Sequence, residues 1–227
     1  MRGEGIGSAI LAATLAATPV PACEVELVLA MDVSRSVVNF EYDFQMGGLA
    51  AAFRHPDVIG AVERLPGGVM ATVTQWSGPD AQVQAVPWTH LTDAASIRAF
   101  ADRIDAQRRA FFAAYTAIGE ALIHAERVSA TNPLPCARRV FDVSGDGASN
   151  RGREPLAVAE LLAGQGVTVN ALVILGAKPD PADYYAANVV RGPGAFMEVA
   201  TSFEDFPQAI LRKLLRELAP GGLAEAR

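Results

Sequence analysis

Along the chain, short solid runs of apolar residues alternate with longer stretches in which apolar positions recur at helical spacing. Residues 25–30 (VELVLA) form such a run and stop at Asp32, as expected of a strand buried on both faces. Residues 37–53 then read as a helix with Phe40, Phe44, Gly48 and Ala51 on one side. Gly47 and Gly48 inside it each cost roughly 1 kcal/mol against alanine, a cost that close packing on a sheet would justify. Residues 68–76 and 82–88 predict two strands joined by Ser77-Gly78-Pro79-Asp80, a turn short enough for a hairpin, so the sheet is expected to be mixed. Two helices follow, over residues 97–104 behind Asp93 and over residues 116–128, the second with Ile118, Ala121, Leu122 and Ala125 in one stripe. A strand over residues 138–143 is broken by Ser144-Gly145-Asp146-Gly147. A helix over residues 155–163 ends at Gly164 and leads into the apolar strand 167–175. A last strand near residues 195–200 precedes a helix capped at Ser202, with Phe206, Ile210, Leu214 and Leu218 inward. This alternation predicts an α/β fold: a doubly wound, mostly parallel central sheet with one antiparallel edge strand and helices on both faces.

Composition narrows the picture without changing it. With 227 residues, 51% hydrophobic and 19% charged, the chain can bury one core, and no repeat or low-complexity linker divides it. Nineteen basic against 25 acidic residues give a net charge of -6, with the arginines scattered, which disfavours nucleic acid as a partner. The apolar stretch 5–23 follows Arg2 and ends in small residues, the pattern of a secretory signal peptide cut after Ala22 and not of a transmembrane span. The expected organisation is a leader over 1–22, one domain over 23–220 and a tail over 221–227, in an exported protein, periplasmic or secreted. A lipid anchor on Cys23 is the lesser alternative, because Val20-Pro21-Ala22-Cys23 only loosely resembles an acylation signal.

Candidate chemistry gathers where strands end. Asp32-Val33-Ser34-Arg35-Ser36 puts one carboxylate and two hydroxyls on alternate residues, Asp146 stands between glycines, and Thr116 opens a helix. Two carboxylates and three hydroxyls without Cys or His make a hard-oxygen set. Such a set suits Mg²⁺, with Mn²⁺ or Ca²⁺ as substitutes, and does not suit zinc. Five protein groups of this kind leave a coordination position open. Taken singly, each residue also serves as a helix cap or turn. His55, His90 and His124 are unclustered and read as surface or packing residues, Trp76 and Trp88 as core or rim aromatics. Tyr184, Tyr185 and Asn188 read equally as site rim or structural loop, and Asn150 as a residue that orients the Asp146 loop through its amide.

At these positions the sequence resembles the von Willebrand factor A-like fold, whose metal-ion-dependent adhesion site (MIDAS) is written Asp-x-Ser-x-Ser, then Thr, then Asp. All five appear in order as Asp32, Ser34, Ser36, Thr116 and Asp146. More narrowly, the segments LVLAMDVSRSV, CARRVFDVSGDGASNRG, YYAANVVRGPGAF and SFEDFPQAILRKLLREL resemble a family of exported bacterial proteins catalogued as domain of unknown function 1194. The resemblance implies that the serines bind the cation directly, Thr116 directly or through water, and the aspartates largely through water, so that the cation keeps its charge for an acidic group of a partner. Arg35 departs from the small residue usual there, either repelling the cation or gripping an incoming carboxylate. Arg191, where glycine is usual, puts the local turn in question. If Asp32 and Asp146 converge from neighbouring parallel strands, Cys23 and Cys136, nine and ten residues upstream of them, meet at the opposite edge and form a disulfide. The resulting expectation is a metal-dependent binding module for a protein or peptide presenting Asp or Glu, with no catalytic residues. The alternatives are a metal-assisted, phosphatase-like hydrolase with Asp32 as nucleophile, or a structural envelope protein with a degenerate site.

Overall fold

The computed structural model describes residues 22–112, 115–176 and 178–219. The expected leader, apart from Ala22, and the expected tail lie outside these residues. In chain order the elements are β1 (Cys23–Asp32), α1 (Asn39–Arg54), α2 (Pro56–Glu63), β2 (Val69–Trp76), β3 (Gln82–Leu91), α3 (Ala94–Asp105), α4 (Ile118–Ser129), β4 (Cys136–Gly145), α5 (Pro155–Gly164), β5 (Val167–Ile174), α6 (Pro181–Asn188), β6 (Met197–Ala200) and α7 (Phe206–Glu217). The sheet runs β3-β2-β1-β4-β5-β6, parallel except for the antiparallel β2–β3 pair at one edge. The chain winds outward from β1 through β2 to β3 and then returns to place β4 on the other side of β1. The carboxyl ends of β1 and β4 therefore flank the reversal point, where an open α/β sheet leaves a crevice.

Alternation along β1 divides the core. Val25, Leu27, Leu29 and Met31 face the layer of α1, α2, α3 and α7, while Val28 and Ala30 face α4, α5 and α6. At the amino ends of the same two strands, Cys23 pairs in register with Cys136, and the two form a disulfide with Cα atoms 4.5 Å apart. It spans 113 residues of sequence, and loop entropy of that length is worth about 4–5 kcal/mol in the chain-entropy estimate. Nearby, Glu26 is buried and accepts hydrogen bonds from Ser129 and, at 2.7 Å, from Asn132 Nδ2, which pins the end of α4 to β1.

Local pattern misplaces several details. Helix α1 buries Tyr42, Met46, Leu49, Ala50 and Phe53, not the side bearing Phe40, Phe44 and Ala51; Phe40 and Phe44 are exposed and stack edge-to-face with centroids 6.4 Å apart. Gly48 does admit close packing, but against α7: a Cβ there would stand 3.0 Å from Pro207 Cγ, whereas Gly47 meets nothing within 4 Å. Thr116 precedes α4 instead of opening it. The cap of α7 is Asp205, whose carboxylate accepts from Thr201 N at 2.9 Å, and Ser202 is not the cap. Helices α2 and α6, eight residues each, carry too little periodicity to be read. Arg191 fits without strain, since the left-handed conformations fall on Gly192 (φ 100°) and Gly194 (φ 66°), while Arg191 bridges to Val169.

Candidate functional site

Strand β1 carries Asp32 to the crevice, and Val33 N makes the last bond to β2, at Trp76 O (2.9 Å), before the chain turns away toward α1. In that turn Asp32 Oδ1 accepts from Ser34 N at 2.7 Å, and Gln45 Nε2, from α1, donates to Asp32 O at 3.3 Å. These bonds fold the loop so that the hydroxyls of Ser34 and Ser36 lie on one side, 3.1 Å apart. Ser36 Oγ donates to Asp146 Oδ1 at 2.8 Å across 110 residues of sequence, and Thr116 Oγ1 lies 3.5 Å from Ser34 Oγ. Three separate loops thus bring Thr116, Ser34, Ser36 and Asp146 into one continuous row of oxygens, with Asp32 behind it.

The loop after β4 also fixes Thr116. Asn150 Oδ1 accepts from Thr116 N (3.0 Å), Asn150 N donates to Thr116 O (2.8 Å), and Ser149 Oγ donates to the same carbonyl (3.2 Å). Asn150 therefore orients the threonine loop, where the sequence placed its effect on the Asp146 loop. Arg35 projects to solvent beside Ser36.

Asp32 is fully buried, and its Oδ2 has no hydrogen-bond partner. Burial, reinforced by the negative charge of Asp146, pushes its carboxyl up to about 8; burial also raises Asp146. Among the described residues Arg109 is the cation that opposes the rise at Asp32, and it does so less than burial and Asp146 promote it. Its Nη2 donates to Val33 O (2.9 Å) and Ser34 O (2.6 Å) and its Nε to Phe111 O (2.9 Å), so the guanidinium braces the loop without pairing directly with either carboxylate.

Sequence reasoning missed Arg109 altogether, because nothing local marks it among the arginines. It left Tyr185 undecided, and the structure puts that phenol inside the core with its hydroxyl near Asp32 Oδ2. A Cβ at Gly145 would collide with Tyr185 Oη and stand 3.1 Å from Asp32 Oδ2. The glycine before Asp146 is thus required by close approach. The histidines stay apart from this site; His55 accepts from Asp57 N (3.2 Å) and His90 pairs with Gly67 O (2.7 Å). Trp76 is core, and Trp88 donates to Val128 O at 3.1 Å. Among the described residues no group of three or more His, Cys, Asp or Glu side chains gathers, so the oxygen row rests on hydroxyls.

None of the curated proteins matches the chain. Among solved structures, proximal thread matrix protein 1 of the mussel byssus, described with a zinc-occupied MIDAS motif, is 19% identical with a TM-score of 0.61 over 87% of this chain and 46% of its own. The pilus adhesin SpaC of Lactobacillus rhamnosus GG is 12% identical with a TM-score of 0.62 over 86% of this chain and 31% of its own. A von Willebrand factor type A protein of Catenulispora acidiphila is 15% identical with a TM-score of 0.58 over 86% and 42%. This chain spans less than half the length of each, and at such identities the likeness establishes the von Willebrand factor A-like fold. The family described as "Protein of unknown function (DUF1194)" matches residues 22–221, nearly all of the chain, and this protein belongs to it.

Proposed function

We propose that the protein is an exported binding module in which a divalent cation, held at the crevice, is completed by an acidic group of a protein partner. One observation carries this reading: two buried carboxylates stand at a converged row of hydroxyls with no protein cation paired to them among the described residues. The spacing supports it. Oxygens around an octahedral Mg²⁺ at about 2.0–2.1 Å stand about 2.9 Å apart along each edge. The step from Ser36 to Ser34 (3.1 Å) is close to that, while the hydrogen bond from Ser36 to Asp146 (2.8 Å) seats the second aspartate directly behind a ligand.

On this reading Ser34, Ser36 and Thr116 hold the ion and Asp32 and Asp146 supply negative charge from behind. The buried, unpartnered Asp32 Oδ2 would accept from ion-bound water. Hard-oxygen donors favour Mg²⁺, and the zinc in the mussel protein supports divalent binding by such a motif without fixing the ion here. Export is supported by the disulfide, and no helix among the described residues is long and apolar enough to cross a membrane. Binding, not turnover, accords with adhesins among the structural neighbours and with a site built from hydroxyls and carboxylates.

The test is calorimetric titration with Mg²⁺ and Mn²⁺ beside capture from envelope extract with and without EDTA. Saturable uptake and EDTA-sensitive capture, both lost in the Ser34→Ala/Ser36→Ala double variant, are expected. Uptake and capture indifferent to that variant would refute the assignment.

A further inference from the structure

Beside the oxygen row lies a second feature that the cation does not use. Arg35, Val37, Val38, Asn39, Arg109 and Phe112 line a basin of about 320 Å³ that adjoins Ser36 through Arg35. Its lining carries two guanidinium groups and no carboxylate, in a chain whose net charge is -6. Arg109 is held rigid by its bonds to Val33 O, Ser34 O and Phe111 O and by stacking over Phe112 at 5.0 Å, so its Nη1 edge is left without a hydrogen bond among the described residues. Arg35 is exposed and likewise makes no hydrogen bond or ion pair among them. The walls are apolar and uncovered: Phe112 is 75% exposed and Val38 43%.

We infer that this basin receives a second acidic side chain together with a bulky apolar one, from the same peptide segment whose Asp or Glu completes the cation. A pre-positioned guanidinium with a free donor edge binds a carboxylate at low entropic cost, and the second arginine can close over it. The apolar walls accept an aromatic or aliphatic side chain, which an acidic sugar polymer does not offer. The partner's recognition segment is therefore a pair of acids with a large apolar residue between or beside them. This inference rests on the cation-binding reading above, and the two can fail separately.

The experiment is selection of phage-displayed random heptapeptides on the immobilised full chain in Mg²⁺, with elution by EDTA. Eluted clones are expected to carry two Asp or Glu within a few positions of each other beside Phe, Tyr, Trp, Leu or Ile. As synthetic peptides they should bind Arg35→Ala and Phe112→Ala about five- to ten-fold more weakly, with a shallower salt dependence in Arg35→Ala. EDTA-eluted clones with a single acid, no neighbour preference and equal affinity for both variants overturn the basin and leave the cation reading standing. Retention that ignores EDTA overturns the cation reading and the inference with it. Fluorescent polygalacturonate captured in an Arg35-dependent way, with no peptide enriched, overturns the peptide assignment.

Discussion

Strand β4 and the first residue after it supply two buried aspartates, and the fold treats them in opposite ways. Asp142, in mid-strand beneath α7, sits 2.6 Å from Lys213 Nζ, which also reaches Glu217 Oε1 at 2.5 Å; Asn170 Nδ2 donates to that same oxygen at 2.9 Å. The counter-charge is part of the chain, one ammonium shared between two carboxylates. Asp146, at the strand's end, faces Asp32 with no lysine between them, only hydroxyls and the open crevice. Both clusters bear the cost of burying carboxylates, yet only one contains its own answer to it. An acid pair whose cation is covalently supplied is structural; one whose cation must come from outside is poised to bind.

Removing the internal cation should have the largest effect. Lys213→Met leaves Asp142 and Glu217 uncompensated and should cost about 3–5 kcal/mol in chemical denaturation. A loss under 1 kcal/mol would mean that the first cluster does not depend on its lysine. Next, Mg²⁺ at about a hundred times its dissociation constant should stabilise the wild type by about 2.7 kcal/mol in thermal melts. The Ser34→Ala/Ser36→Ala variant should gain nothing; an equal gain there would place the ion elsewhere.

Asp32→Asn probes the open cluster with the opposite sign. At pH 9 in EDTA it removes a buried negative charge facing Asp146, so it should stabilise by about 1–2 kcal/mol while abolishing the Mg²⁺ increment. Destabilisation would assign Asp32 a structural role.

The last test reads the slope of stability with pH, one pH unit at a time. Burial is the main cause that lifts the Asp142 carboxyl to about 7 in the folded state, from 3.8 for the free side chain, with Lys213 opposing the rise and Glu217 adding to it. The folded state then holds the proton more tightly than the unfolded one, so this group's contribution to stability falls as pH rises from about 4 to about 7, by at most about 1.4 kcal/mol per pH unit. Subtracting the Asp142→Asn melting profile from the wild-type profile, both in EDTA, isolates that slope. A difference curve that rises with pH would show that Lys213 outweighs burial.

The five oxygen residues were legible because their types and order are unusual together, and strands such as Val167–Ile174 because apolar runs report burial directly. The inward face of α1 was not, because its amino-terminal turns lie beside the crevice, where Phe40 and Phe44 meet solvent instead of the sheet. Tyr185 lies in a short helix whose composition gives no reason to bury a phenol next to an aspartate.

The sequence by itself determined the alternation of strands and helices, the two oxygen-rich loops and the cysteines upstream of them, since each is written in neighbouring residues. Tertiary structure alone decided which charges answer one another. Lys213 reaches Asp142 from a helix far along the chain, and Arg109 braces Val33 and Ser34 across 76 and 75 residues. Coulomb and hydrogen-bond energies depend on distance in space and on burial, and neither is encoded in local periodicity.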